Sequence, residues 1–229
     1  SVTDSERAGR IAPTAIGGLG ASTWTVAART DDPELFVGRT AASTPSYEAD
    51  AIVDDQTWPD LGVPYRPVTD IEIDGAAWTI AQGVEVASER LGGFFVSNDL
   101  VASVTLAGAM ADPIVLGAAD PALGGRGIYI TGTPGPHSAN RTEVRDAGST
   151  KWFANLPGGA GVTIASSTMT FADVLFAGSL DYGLILWALA ATNADCLGAL
   201  RFPASAAPDA NAHDVYRVTA QDPTLGCAP

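Results

Sequence analysis

The sequence has few of the residues that build exposed helices or reactive sites. Among 229 residues there is one lysine (Lys151), seven glutamates, two histidines and two cysteines. Lysine and glutamate favour helices, whereas aspartate, which supplies the other nineteen acids, favours caps and turns. Twenty-five glycines and fifteen prolines are spread along the chain, which is typical of many short strands joined by turns.

Basic residues are also scarce, and this excludes whole classes of function. Twelve arginines and lysines face 26 acids, which gives a net charge of −14. A nucleic-acid binder needs a basic face for phosphates, and docking on an anionic membrane needs basic clusters, so we expect neither. The acids are concentrated between Asp31 and Asp74, where only Arg39 and Arg66 oppose them. This pattern predicts a solvated surface or, alternatively, a patch for a cation or a basic partner.

No long apolar run is present. The longest, Gly183–Ala191, is about half of the length that a membrane span requires. The first thirty residues contain charges and no long apolar core, so an uncleaved signal peptide is not expected. Hydrophobic residues still make up 46% of the chain, enough for a folded core.

Short strand signals recur throughout the chain. Asp70–Asp74 alternates, and Asp74-Gly75 followed by Ala77–Ala81 predicts a hairpin. Gly127–Thr131 is continuously apolar, as in a strand buried on both faces. The best candidate helix is Thr170–Ala177, and no repeat of fixed period is visible. We therefore predict an all-β fold, a jelly roll or a β-sandwich or barrel, with many short strands, long loops and at most two short helices.

The chain divides into an arm and one domain. Residues 1–20 read as an extended N-terminal arm and 21–229 as a single β domain, with 41–67 as an acidic, proline-rich surface loop. A disulfide between Cys196 and Cys227 would pin the last residues of the sequence to the Cys196 region and indicate an oxidising compartment. Free buried thiols and intermolecular bridges are the alternatives.

The sequence contains no recognisable catalytic signature. His137 lies in a Pro-Gly loop, and His213 precedes Asp214 on a strand, where neighbours point to opposite faces. A glycosidase needs two carboxylates across a cleft. Glu72 and Asp74 share a strand face and, with Glu143, Glu85 and Glu89, are the candidates for such a pair. The protein is not expected to be an enzyme.

Metal binding has a weak candidate. Asp50, Asp54, Asp55 and Asp60 lie in one loop and could hold calcium. Their spacing does not follow the Asp-x-Asp-x-Asp-Gly order of an EF-hand. No other cofactor is expected.

Two functional classes follow. In length, strand density and small-residue composition the whole chain resembles the single jelly-roll capsid proteins of icosahedral viruses. That resemblance implies a virion structural protein, capsid or tail, which forms homo-oligomers and contacts other virion proteins. The alternative is a secreted or surface carbohydrate-binding β-sandwich located outside the cell. Its sugar-stacking side chains would be Trp58, Trp78 and Trp152.

Overall fold

The described part of the chain is built from β-strands. The computed structural model describes residues 9–11, 16, 35–37, 51–96, 102–188, 190–205 and 207–217. Within these ranges there are twenty-one strands and no α-helix. The strands are β1 (Gly9–Ile11), β2 (Leu35–Val37), β3 (Ala51–Ile52), β4 (Gln56–Trp58), β5 (Tyr65–Pro67), β6 (Ile71–Ile73), β7 (Ala77–Ile80), β8 (Glu85–Ser88), β9 (Gly93–Val96), β10 (Ser103–Ala107), β11 (Ile114–Ala118), β12 (Gly127–Thr131), β13 (His137–Asn140), β14 (Thr142–Arg145), β15 (Ala160–Ala165), β16 (Thr168–Ala172), β17 (Val174–Ala177), β18 (Tyr182–Trp187), β19 (Ala191–Thr192), β20 (Leu200–Arg201) and β21 (His213–Arg217).

These strands form three parallel sheets. Sheet 1 has the order β1-β2-β5-β8-β11-β14-β17-β20, sheet 2 the order β21-β18-β15-β12-β9-β6-β3, and sheet 3 the order β19-β16-β13-β10-β7-β4. From β3 onward the chain visits sheet 2, sheet 3 and sheet 1 in turn, and each strand pairs with the strand three places later. The protein is therefore a parallel β-solenoid, in which one strand from each sheet makes one turn.

This architecture overturns the predicted fold. A jelly roll, β-sandwich or antiparallel barrel requires antiparallel neighbours, whereas every ladder between the strands is parallel. The resemblance to jelly-roll capsid proteins is wrong for the same reason. The hairpin predicted at Asp74-Gly75 is also wrong, because β6 and β7 belong to different sheets and residues 74–76 form a corner between them.

The predicted helix Thr170–Ala177 is wrong as well. It consists of the end of β16 and all of β17, separated only by Asp173 at φ 57°. Arg141 holds the same place one turn earlier, between β13 and β14, at φ 44°. Aspartate tolerates this left-handed conformation better than most residues. Arg141 Nη1 lies 3.2 Å from Asp173 Oδ2, and Arg201 Nε lies 2.5 Å from Asp173 Oδ1. Charge pairing therefore links three successive turns at this corner.

The core is made of side-chain columns that run along the solenoid axis. Strand alternation sends every second side chain inward, and parallel register stacks equivalent positions. The column of sheet 1 is Tyr65, Val86, Leu116, Val144 and Phe176. The column of sheet 2 is Ile73, Val96, Ile130, Ile164 and Leu186. All ten side chains are buried, and they share one core cluster with sheet 3 residues such as Trp78, Leu106 and Met169.

The number of residues between stacked positions varies widely. It is 21 from Tyr65 to Val86 and 34 from Val96 to Ile130. Most of the difference lies in the connections, since the strands themselves have only two to six residues. A repeat is therefore present in space, although the sequence has no fixed period.

The predicted arm and acidic loop are described in part. β1 falls within residues 1–20 and pairs in parallel with β2, while 1–8, 12–15 and 17–20 lie outside the described residues. In the 41–67 segment, residues 51–67 contribute β3, β4 and β5 to the solenoid, and 41–50 lie outside the described residues.

Candidate functional site

Aromatic side chains collect on the outer face of sheet 2. Phe95 of β9 and Tyr129 of β12 are register partners, and their rings stack 5.6 Å apart at an interplanar angle of 6°. Farther along the same face, the rings of Trp187 in β18 and Tyr216 in β21 stack 6.1 Å apart at 24°. These residues point outward because their strand neighbours, among them Phe94, fill the core.

The connection between β14 and β15, residues 146–159, folds over this face. Trp152 and Leu156 are buried against Tyr129, and both Phe95 and Trp187 pack against the same cluster. Phe153 remains 46% exposed, with its ring 5.2 Å from that of Tyr129 in an edge-to-face arrangement. We call the four partly exposed rings around this cluster the aromatic platform, and its members are Phe95, Phe153, Trp187 and Tyr216.

Arg126 fixes one edge of the platform. Its guanidinium lies over the Trp152 ring, 4.2 Å from the centroid, and pairs with the Asp70 carboxylate. Nη2 also donates to the carbonyl oxygens of Lys151 and Trp152, each at 3.4 Å. Burial raises the pKa of Asp70 to about 6, although Arg126 acts to lower it. This edge therefore places a guanidinium beside a carboxyl group whose pKa is raised by burial.

Hydrogen bonds hold the 146–159 connection in place. Ser149 Oγ donates to the Arg90 carbonyl oxygen at 2.9 Å, and Lys151 Nζ donates to that of Leu156 at 3.1 Å. The Gly159 amide donates to Asp181 Oδ2 at 3.2 Å. The connection is thus attached to neighbouring turns on both sides, which preorganises Phe153 on the surface.

Two tryptophans predicted to stack on sugars lie elsewhere. Trp58 and Trp78 are fully buried in the core, with their rings 5.3 Å apart. The prediction that they line a sugar groove is therefore wrong. Trp152 is in the outer cluster but is 8% exposed, and Arg126 covers one of its faces. It supports the platform instead of presenting a free face.

The carboxylates and histidines proposed from sequence are dispersed. Glu72 lies half-buried on β6, beside Phe95 in register. Glu143 pairs with Arg145 at 2.7 Å. The exposed His213 ring packs 4.9 Å from Tyr182. His137 is buried, and its Nδ1 accepts a hydrogen bond from the Val104 amide at 3.1 Å.

Two of the proposed calcium ligands accept hydrogen bonds from backbone amides. Asp55 Oδ1 accepts from the Ala77 amide and Asp60 Oδ1 from the Gly62 amide, each at 2.7 Å. Asp54 is exposed, and Asp50 lies outside the described residues. Among the residues that the structure describes, no three metal-ligating side chains converge. A calcium site at this loop stays a prediction.

Cys196 lies in the connection between β19 and β20 and packs half-buried against the core. It is disulfide-bonded. Cys227 lies outside the described residues, so its pairing with Cys196 stays a prediction.

Comparison with known proteins adds no relative. Neither a protein-family model, nor a curated protein, nor a solved structure matches this chain. Across the described ranges, no helix has the length and apolarity needed to cross a membrane. The class of the protein, a parallel β-solenoid, therefore follows from its own sheet topology.

Proposed function

We propose that the protein binds an extended polysaccharide along the outer face of sheet 2. The observation that carries this proposal is the aromatic platform, which places partly exposed rings on β9, on the 146–159 connection, and on β18 and β21. The negative faces of aromatic rings attract partly positive C–H groups, such as those on the flat faces of pyranose rings. Strands in a sheet are about 4.8 Å apart, so a polymer aligned with the solenoid axis meets one turn after another.

Polar groups beside the platform support the same reading. Sugars need hydrogen-bond donors and acceptors next to the stacking surface, since pockets fix ligand orientation with a few polar groups. Lys151 supplies donors, because its exposed ammonium carries three N–H groups, one of which bonds the Leu156 carbonyl oxygen. The acidic balance of the whole chain disfavours polyanions, so neutral polysaccharides are the expected class. The disulfide at Cys196 supports a secreted or surface location.

The proposal is tested by calorimetric titration of the whole chain with cellohexaose, xylohexaose, chitohexaose and laminarihexaose. We expect at least one to bind, and we expect Phe153→Ala and Trp187→Ala each to weaken its binding by about twofold to tenfold, taking about 0.5–1.5 kcal/mol per aromatic contact. Met110→Ala is the matched control, because Met110 is 78% exposed at the sheet 3–sheet 1 corner. Absence of binding by all four, or equal affinity of platform and control variants, would refute the proposal.

A self-assembling structural subunit, such as a virion protein, is our second candidate. The jelly-roll fold that suggested this role is wrong, but one feature of the solenoid favours assembly. Within the described residues, β19, β20 and β21 each pair with a strand on one side, and strand edges of this kind pair readily with other chains. Light scattering and electron microscopy of the same fraction test it. A regular particle or tube supports this role, and a protein that stays monomeric or dimeric contradicts it.

A further inference from the structure

Three exposed leucines lie along one corner of the solenoid. Leu91, Leu123 and Leu180 belong to three of the connections that lead from sheet 1 to sheet 2. Their exposed fractions are 60%, 49% and 46%. Large apolar side chains scattered singly on a surface are ordinary, but a contiguous row marks an interaction site. We call this row the leucine ridge.

Contacts between the connections pack the three leucine-bearing loops against one another. The Leu180 amide donates to the Ala147 carbonyl oxygen at 2.9 Å. A β-carbon on Gly124, the neighbour of Leu123, would lie 2.8 Å from Leu180 Cδ1. On the other side, Ser149 bonds through its amide to the Gly125 carbonyl and through Oγ to the carbonyl of Arg90, the neighbour of Leu91. The three leucines are therefore joined through one packed set of loops.

Charge distinguishes this corner from the rest of the protein. Residues 89–92, 119–126, 146–159 and 178–181 together carry four acidic and three basic side chains, a net charge of −1, whereas the chain carries −14. Two copies of a strongly acidic protein repel each other over most of their surfaces. The ridge is an apolar surface at which that repulsion is nearly absent.

We propose that the leucine ridge is the face through which two copies of this chain associate side by side. A two-fold interface uses the same patch on both subunits. If the copies run antiparallel, the exposed Arg90 of one faces Asp181 of the other, and Leu91 faces Leu180. Parallel copies would place Asp181 against Asp181, so charge favours the antiparallel arrangement. Three leucines with their flanking loops fall short of the roughly 1,000 Å² of a stable interface, which makes this a weak, reversible dimer.

Sedimentation equilibrium of the full chain over a wide concentration range, without saccharide, tests the proposal. The wild type is expected to approach twice the 23.4 kDa chain mass as concentration rises. Leu91→Asp and Leu123→Asp are expected to remain monomeric. Met110→Asp and Leu197→Asp, at exposed positions on another corner, are expected to dimerise like the wild type. A wild type that stays monomeric, a loss of association shared by the controls, or larger assembly that Leu123→Asp leaves unchanged would overturn the proposal.

A cross-linking experiment tests the arrangement. Leu91→Cys and Leu180→Cys proteins are mixed and oxidised, and the products are separated by mass. Antiparallel copies give a Leu91→Cys to Leu180→Cys heterodimer as the main product. Homodimers of Leu91→Cys in excess of the heterodimer would overturn the antiparallel arrangement. Neither measurement involves a sugar, so a negative result is distinguishable from failure of the proposed polysaccharide binding.

Discussion

The buried histidine of the core gives the sharpest prediction about stability. The His137 side chain is 2% exposed, and burial lowers its pKa from the usual 6.5, although the nearby backbone of Thr133 acts to raise it. Nδ1 accepts from the Val104 amide, and a protonated ring would lose that acceptor. The folded protein therefore holds His137 neutral at pH values at which the unfolded chain binds a proton. Its contribution to stability must fall as pH drops below 6.5.

The size of this effect has a ceiling. If the folded state takes up no proton on His137 between pH 7 and pH 5, the free energy of unfolding falls by about 2 kcal/mol. With a urea m-value of about 2 kcal/mol/M, the unfolding midpoint moves down by about 1 M. Asp70 acts in the opposite direction. Its pKa is raised to about 6, so its contribution to stability increases as pH falls from about 6 towards 3.8, an effect reduced by the partial exposure of the carboxylate.

A variant separates the two groups. His137→Asn keeps an acceptor near the position of Nδ1 and does not titrate. At pH 7 it should be less stable than the wild type, because it leaves space in the core. We expect the stability advantage of the wild type to shrink as the pH is lowered, because only the wild type contains the titrating His137. The contribution of Asp70 is common to both proteins and cancels in the difference. Urea unfolding followed by tryptophan fluorescence at pH 7, 6 and 5 measures this difference. A difference that stays constant with pH would refute the reasoning.

Other predictions concern the strands, the corners and the core. Gly117→Ala should stabilise the protein by about 0.4–1 kcal/mol, because the added β-carbon would meet no atom closer than 3.9 Å. Gly161→Ala should destabilise the protein, because its β-carbon would lie 2.7 Å from Val144 Cγ1. Thermal melts compare the pair. Asp173→Asn should cost about 0.5–1 kcal/mol at low salt and less at high salt, since its ion pairs are partly exposed; urea unfolding at two ionic strengths checks this. Phe176→Ala should cost about 3–5 kcal/mol, measured by the same unfolding, and a loss under 1 kcal/mol would contradict its place in the core column.

The sequence predicts strands better than it predicts their partners. The alternation of Asp70–Asp74 correctly places β6. Asp74-Gly75 marks a true change of direction, but a solenoid corner and a hairpin use the same turn residues. Which of the two forms depends on whether β7 pairs with β6 or with strands of neighbouring turns. That pairing is decided by contacts more than twenty residues apart, which local patterns do not contain.

The candidate site was missed for a related reason. Trp58 and Trp78 stood out by residue type, yet strand alternation places both inside. Tyr129 stands between Ile128 and Ile130, and this apolar run predicts a strand buried on both faces. The prediction is confirmed, because the 146–159 connection covers the outer side of Tyr129. The platform can be recognised only if the register that places Phe95 beside Tyr129 is known. That register depends on the length of each turn, which follows no fixed period in the sequence.

The parallel ladders also determine how the molecule would respond to a mechanical load. Hydrogen bonds between turns lie along the solenoid axis, so a force applied along that axis stretches them in series. Each turn can then detach singly, because its contacts are mainly with its neighbours. Stacked positions are 21 to 34 residues apart, so each detached turn would lengthen the molecule by about 70–120 Å when fully extended. A stretched molecule would therefore lengthen in unequal steps, with the short turns near β5 and the long turns near β12 giving different step sizes.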